Sequence, residues 1–140
     1  MDFLEKVLVF LNTYLYRFSR GMLGSKMAGN DVLLLKTTGR KTGKNHTTPI
    51  NYYRDQGDYL VVASNWGKDQ NPGWYYNLMH QPETTIQVKD RTVRVRARPV
   101  PDAEYDRLWD LISGQNKFYS QYKKYARRKI PIVILSETQE

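Results

Sequence analysis

The 140-residue chain contains no cysteine and only two histidines. The absence of thiols excludes a disulfide scaffold, a cysteine nucleophile and a thiolate metal site. His46 and His80 stand apart in the sequence, and neither has partners at the spacing of a metal site. We therefore expect no bound metal.

Long hydrophobic runs are also missing. No run reaches the roughly 18 apolar residues that a membrane-spanning helix needs. The N-terminus carries an acid at Asp2 and has no small-residue cleavage site, which is untypical of a secretory signal. We therefore expect a cytoplasmic protein, and the length predicts one folded domain with a real core.

Acidic side chains are the minority among the charges. The sequence has 14 Asp and Glu against 22 Lys and Arg, which gives a net charge of +8 and a pI near 9.7. Such a balance favours an anionic partner: nucleic acid, acidic lipid or a phosphorylated cofactor. A merely solvated surface is the alternative for any single cation.

The first 30 residues differ in pattern from the rest. Apolar residues recur at helical spacing over residues 3–18, and a glycine-containing connection follows. We predict an N-terminal amphipathic helix and linker over residues 1–30 and a cofactor-binding domain over residues 31–140. The helix either packs on the domain, packs in a dimer interface, or lies on an anionic membrane surface.

Beyond residue 31 the pattern is mostly extended. It predicts strands over 32–36, 47–54 and 59–64, a hairpin of 84–89 and 92–100, and a closing strand over 130–135. Helices are predicted to begin at Asn71-Pro72 and to cover 102–113 and 117–128. Strands in hairpin succession with inserted helices indicate an α+β fold with a mostly antiparallel sheet, closed as a small barrel.

One loop carries chemistry. Residues 37–49 read TTGRKTGKNHTTP. Glycines let backbone N–H groups approach an anion, and Arg40, Lys41 and Lys44 would neutralise it. The spacing is not that of a Walker loop, and no helix follows. The loop predicts a phosphate cradle, and a basic turn without a ligand is the alternative.

Two motifs, TTGRKTG and NPGWYYNL, resemble the deazaflavin-dependent nitroreductase family in order and separation. The resemblance runs from about residue 33 to 135. It implies a split β-barrel related to the pyridoxamine-phosphate-oxidase-like enzymes. It also implies coenzyme F420, whose side chain carries a phosphate and an oligoglutamate tail. Hydride transfer from the reduced deazaflavin to a quinone, enone or nitro compound would be the reaction.

Carried over by position, the resemblance implies a set of cofactor contacts in the basic loop, the next two strands and the following loop and helix. These are Arg40, Lys41, Thr42, Gly43, Lys44, Pro49, Ile50, Asn51, Val62, Ala63, Ser64, Asn65, Trp66, Gly67, Lys68, Asn71, Pro72 and Trp74.

The resemblance also implies a substrate wall formed by tyrosines that recur three apart, namely Tyr119, Tyr122 and Tyr125. Tyr122 is the first choice to hydrogen-bond the substrate and Ser64 the second. Core packing is the alternative for the tyrosines and for Trp74. The run from Tyr125 to Arg128 departs from the Arg-Thr pair common in the family.

Other functions stay open at this point. The same barrel could bind flavin mononucleotide, or it could store a cofactor or lipid without turnover. Nucleic-acid binding is not expected, because few aromatic residues interleave with Arg94, Arg96 and Arg98. A homodimer is compatible with the sequence, which does not name the physiological substrate.

Overall fold

The structure is a computed structural model that describes residues 4, 6–9, 26–27, 30–65, 68–125 and 128–138, with the backbone alone at 26, 27, 30 and 122–125. The strands are β1 (Lys26–Met27), β2 (Asn30–Thr38), β3 (Asn45–Asn51), β4 (Tyr53–Asp55), β5 (Asp58–Val62), β6 (Glu83–Val88), β7 (Arg91–Pro99) and β8 (Ile132–Glu137). The helices in these ranges are α1 (Gly73–His80), α2 (Asp102–Gln115) and α3 (Lys117–Tyr125).

The described strands form one sheet in the order β1-β2-β6-β7-β8-β5-β4, and β3 pairs with β2. Every pairing is antiparallel. The predicted α+β class with a mostly antiparallel, curled sheet and flanking helices is confirmed. The barrel brings the β2–β3 connection close to α1. This connection, residues 39–44, is the basic loop.

The core has two parts that share β5 and β8. Tyr59 and Val61 of β5 point into the cluster inside the barrel, where Leu78 of α1 also lies. Leu60 and Val62 point to the other side, into the cluster covered by α2 and α3. Because both faces of these strands are buried, their sequences are continuously apolar rather than alternating.

Strand β7 shows the other pattern. Val93, Val95 and Ala97 are buried, whereas the arginines between them are exposed. The period-two alternation therefore predicted this strand and its faces correctly. Its hairpin with β6 turns at Lys89-Asp90, where Lys89 has φ of 57°.

Several boundaries differ from the prediction. The predicted strand 47–54 is divided into β3 and β4, because Tyr52 leaves the β3 ladder and its N–H bonds to Asp31 O at 3.0 Å. Asn71 does not cap α1; the N-cap is Pro72, and no side chain caps this end. The closing strand, predicted over 130–135, is β8 and begins at Ile132, directly after Pro131; it lies between β5 and β7.

Residues 4 and 6–9 are helical, as predicted for the N-terminal segment, and the rest of the predicted helix over 3–18 lies outside the described residues. Among the helices of the described chain, none is both long and apolar enough to span a bilayer. No cluster of three or more His, Asp or Glu within the described ranges is arranged to hold a metal ion.

Candidate functional site

The loop between β2 and β3 is a compact turn held by its own backbone. The Gly39 N–H donates to Lys44 O, and the Gly43 N–H donates to Gly39 O, each at 2.8 Å. Gly43 has φ of +71°, which favours glycine over any residue with a side chain. The Lys44 N–H donates to Thr42 Oγ1 at 3.2 Å.

Gly39 is required for a different reason, namely space. A Cβ placed there would lie 2.7 Å from Thr42 Oγ1 and 3.2 Å from His46 Nε2. The first distance is shorter than real Cβ contacts, so any larger residue would push Thr42 out of the turn. The glycine therefore allows the loop to close over the start of β3.

A cavity of about 300 Å³ lies between this loop, strands β2 and β3, and helix α1. It is open to solvent and lined by both polar and apolar groups. Its lining residues are Thr37, Gly39, Arg40, Lys41, Thr42, His46, Thr48, Gly73, Trp74 and Asn77. Four of the predicted cofactor contacts, Arg40, Lys41, Thr42 and Trp74, are therefore brought to one place.

Asn77 holds Arg40 in position. Its Oδ1 accepts from the Arg40 backbone N–H at 3.1 Å and from Arg40 Nη1 at 3.2 Å. Its amide also donates to Thr37 Oγ1 at 3.4 Å, and both partners of that bond are buried. The Arg40 guanidinium lies 4.9 Å from the centroid of the Tyr76 ring. Helix α1 thus orients this cation and leaves most of its N–H groups available.

The loop cations have no acidic counter-charge in the part of the chain that the structure describes. The ion pairs there join other residues. Arg40, Lys41 and Lys44 are all exposed. Three uncompensated cations around one turn create a positive potential that attracts an anionic ligand.

A second group of predicted contacts lies between β5 and α1. Ala63 is buried, Ser64 is half-buried, and Asn65 has φ of +50°. The Lys68 N–H donates to Asn65 O at 3.1 Å. Trp66 and Gly67, also predicted contacts, lie outside the described residues.

Arg128 unites this second group. Its guanidinium donates to Ala63 O and Ser64 O, each at 3.1 Å, and to the side chain of Asn71. Burial lowers the pKa of Arg128, an effect that the nearby Tyr76, Asp69 and Tyr105 oppose. Sequence reasoning noted Arg128 among the basic residues of 123–129 and as the arginine of the R-x-I-P run that fits the family, and assigned it no role in the site.

The remaining predicted contacts do not line the cavity. Pro49 is buried on β3, Ile50 packs against the barrel interior, and Val62 belongs to the helix-covered cluster. The Asn51 amide donates to Asp31 O at 3.4 Å. Gly43 and Lys44 are part of the loop but not of the cavity wall.

The three predicted tyrosines share helix α3. Tyr119 is 5% exposed, and its ring lies 6.0 Å from that of Tyr53 and 6.1 Å from that of Trp109. These contacts favour the packing interpretation for Tyr119. The side chains of Tyr122 and Tyr125 lie outside the described set, so their roles stay predictions.

Sequence reasoning missed Thr37, His46, Thr48, Gly73 and Asn77 in the cavity wall. A signal existed for three of them: Thr37 begins the TTGRKTG motif, and Gly73 and Asn77 belong to NPGWYYNL. His46 pairs with Thr37 across the β2–β3 ladder, so the hairpin register brings them together.

Fold and site together define a split β-barrel protein with a basic cavity beside its first long hairpin. The model of the F420H(2)-dependent quinone reductase family matches residues 9–137. The F420H(2)-dependent quinone reductase Rv1261c of Mycobacterium tuberculosis is 39% identical over 130 residues, which are 90% of this chain and 87% of that protein. The chain therefore belongs to the F420H(2)-dependent quinone reductase family.

Solved structures agree. A structure described as an F420-H2 dependent reductase (FDR-A) has a TM-score of 0.68 and 30% identity, covering 75% of this chain and 93% of its own. One described as a domain-swapped dimer has a TM-score of 0.71 and 27% identity, covering 91% and 97%. The predicted family and the split β-barrel of the pyridoxamine-phosphate-oxidase-like type are confirmed. Family membership implies an oxidoreductase that uses coenzyme F420.

Proposed function

We propose that this protein reduces a quinone with a hydride from reduced coenzyme F420, and that the cavity beside residues 39–44 holds the anionic part of the cofactor. The observation that carries the proposal is the set of three exposed loop cations without an acidic partner among the described residues, next to a cavity of about 300 Å³. A phosphate and an oligoglutamate tail supply the missing negative charge.

The donors of the loop fit such a ligand. Arg40 can bind two oxygens at once, whereas Lys41 and Lys44 act as point charges. The Thr42 hydroxyl adds a neutral donor, although it already accepts from the Lys44 N–H. Trp74 lines the same cavity and presents an apolar surface to the uncharged part of a ligand.

The cofactor, when bound, supplies the hydride. The chain's own task is to hold donor and acceptor close and correctly oriented, since orientation alone lowers such barriers strongly. A hydride and one proton together convert the two carbonyls of a quinone to the two hydroxyls of a hydroquinone. We propose that Tyr122 hydrogen-bonds the quinone oxygen, with Ser64 as second choice, and that the proton comes from solvent. Tyr125 is proposed as part of the pocket wall.

The test is direct. Purified protein is titrated with coenzyme F420 by fluorescence, and reduced F420 is then mixed with a soluble naphthoquinone. We expect saturable binding and quinone-dependent reoxidation. Tyr122→Phe should keep the affinity for F420 and lower turnover, because the hydroxyl is lost and the ring stays. Absence of F420 binding by the wild-type protein would refute the proposal.

Flavin mononucleotide is the competing cofactor on this fold. Three loop cations exceed the needs of a single phosphate, which favours the longer anion of F420. Parallel titrations with both molecules decide between them. If flavin mononucleotide has the lower dissociation constant, it is the cofactor in place of F420. Binding of the cofactor without reduction of the quinone would support a carrier protein.

A peripheral membrane location is proposed for the N-terminal segment. Leu4 and Leu8, four residues apart on one helix face, are 66% and 59% exposed. Each would contribute roughly 1.5–3 kcal/mol if buried in a lipid interface. The full chain should cosediment with anionic vesicles, and a chain that lacks residues 1–28 should not. Equal pelleting of the two chains, or no pelleting of either, would exclude the membrane location. Burial of the same face in a homodimer is the alternative, and mass measurement in solution tests it.

The cytoplasmic location and the division between residues 30 and 31 stay predictions. The family match from residue 9 to residue 137 runs across that boundary. Limited proteolysis would show whether residues 31–140 persist as a folded fragment.

A further inference from the structure

Arg128 lies between α3 and β8, half-buried against the connection from β5 to α1. Its Nη2 donates to the carbonyls of Ala63 and Ser64 at 3.1 Å and of Gln70 at 3.2 Å. Its Nε donates to Lys68 O at 3.1 Å, and its Nη1 donates to Asn71 Oδ1. All five acceptors belong to residues 63–65 and 68–71, which we name the clamped segment.

Converging carbonyls need a cation. Four backbone oxygens and one amide oxygen directed at one point repel each other unless a positive donor lies between them. The planar guanidinium is suited to this task because its N–H groups point outward in a fixed fork, which an ammonium group cannot reproduce. No described carboxylate forms an ion pair with Arg128, so its hydrogen bonds go to the carbonyls and the Asn71 amide, and Asp69 acts on it only through longer-range attraction.

The clamped segment contains predicted cofactor contacts and leads into the cavity wall. Asn65 reinforces the arrangement, since its amide donates at 2.8 Å to Gln70 O, a carbonyl that Arg128 also binds. Asn71 directly precedes Pro72, the N-cap of α1. Further along α1, Asn77 fixes Arg40. One arginine therefore lies at the start of a chain of contacts that ends at the basic loop.

We propose that Arg128 is a positioning residue that shapes the clamped segment and sets the start of α1, so that the cofactor site is formed before the cofactor arrives. The identity of the ligand in this proposal rests on the proposed function, whereas the structural role of Arg128 does not. The acceptors are 57 to 65 residues away in sequence, so local propensity cannot hold them together.

The test compares Arg128→Ala and Arg128→Lys with Lys129→Ala, a matched control that removes the neighbouring, exposed charge. Amide hydrogen exchange of the ligand-free protein is measured first. We expect faster exchange in the clamped segment of Arg128→Ala, wild-type exchange in β5 and β8, and no change in the control.

Affinity for coenzyme F420 is measured next, with and without ethylguanidinium. We expect Arg128→Ala to bind at least about tenfold more weakly, by the loss of several charge-assisted bonds. Ethylguanidinium should restore both affinity and protection, whereas ethylammonium should not. Arg128→Lys should be nearly as weak as Arg128→Ala, because it keeps the charge and loses the fork.

Unchanged exchange in the clamped segment of Arg128→Ala overturns the proposal, as does equal rescue by both cations. If Arg128→Ala does not fold, Arg128→Lys decides, and wild-type affinity and exchange in that variant overturn it. If the segment loosens while even the wild-type protein binds no F420, the positioning role is upheld and the proposed cofactor is wrong.

Discussion

Two cationic places in this molecule, the loop at residues 39–44 and the side chain of Arg128, use the same kind of charge in opposite ways. The loop cations are exposed, and no described ion pair engages them. Arg128 is half-buried and donates to five acceptors of its own chain. A cation whose donors are already used shapes the protein, and one whose donors remain available binds a partner.

The largest expected effect comes from removing the available charges. Arg40→Ala combined with Lys44→Ala should weaken F420 binding by at least about tenfold, because each charge-assisted contact is worth roughly 1.5–3 kcal/mol. The loss should be greater at low salt, where screening is weaker. Fluorescence titration at two salt concentrations measures it.

Arg94→Ala combined with Arg98→Ala is the matched control, since it removes two exposed cations from the outer face of β7. Its affinity should stay within about twofold of wild type at high salt, where long-range fields are screened. Equal losses in both double variants would mean that net charge, not the loop, attracts the ligand.

Asn77→Ala tests how the available cation Arg40 is positioned. Asn77 orients Arg40 and leaves most of the guanidinium N–H groups available. We expect a several-fold loss of affinity, smaller than that of the double variant. Stability should also fall by about 1–2 kcal/mol, since Thr37 loses a buried partner. Titration and urea unfolding measure the two effects separately. Wild-type affinity would show that Arg40 needs no support from α1.

Tyr105→Phe probes the surroundings of Arg128 without touching its bonds. The Tyr105 hydroxyl donates to Ile130 O at 2.5 Å, and its loss leaves a buried carbonyl unpaired. We expect stability to fall by about 1 kcal/mol and F420 affinity to stay unchanged. Reduced F420 affinity in a fully folded Tyr105→Phe variant would contradict the expectation that this bond stabilises the fold without contributing to cofactor binding.

This bond also has a pH signature. Burial, with a smaller effect of Asp106, raises the pKa of Tyr105 to about 12. Because the pKa is raised in the folded state, the stability that the Tyr105 hydroxyl contributes is fully present below the unfolded pKa of about 10. This stability is lost as pH rises to about 12. The stability difference between wild type and Tyr105→Phe should therefore shrink over that window in urea titrations.

The smallest effect is expected at an ordinary ion pair. Asp55 Oδ1 accepts from Arg107 Nη1 at 3.1 Å, and Arg107 lowers the pKa of Asp55. A lowered pKa stabilises the fold above the unfolded value of about 3.9 and ceases to do so as pH falls through the folded value. Asp55→Asn should be slightly less stable at neutral pH and equal to wild type in acid. Equal thermal midpoints at both pH values would show that the pair contributes nothing.

The sequence predicted the barrel well because its signals are local. Alternation marked β7, turn residues marked the hairpins, and the glycine-rich loop marked the cavity. Arg128 opens an R-x-I-P run that fits the family, but nothing local indicated its acceptors, which are mostly backbone carbonyls that every residue possesses. Tyr119 shows the converse: its three-residue spacing identified a helix face, but spacing alone does not say whether that face meets substrate or core.

The position of β8 has a consequence for synthesis on the ribosome. This strand holds residues 132–137, yet it pairs with β5 on one side and β7 on the other. A nascent chain that lacks it exposes one unpaired edge of β5 and one of β7, which are templates for association. The barrel therefore closes only after residues 132–137 have left the exit tunnel, and until then β5 and β7 need protection from other chains.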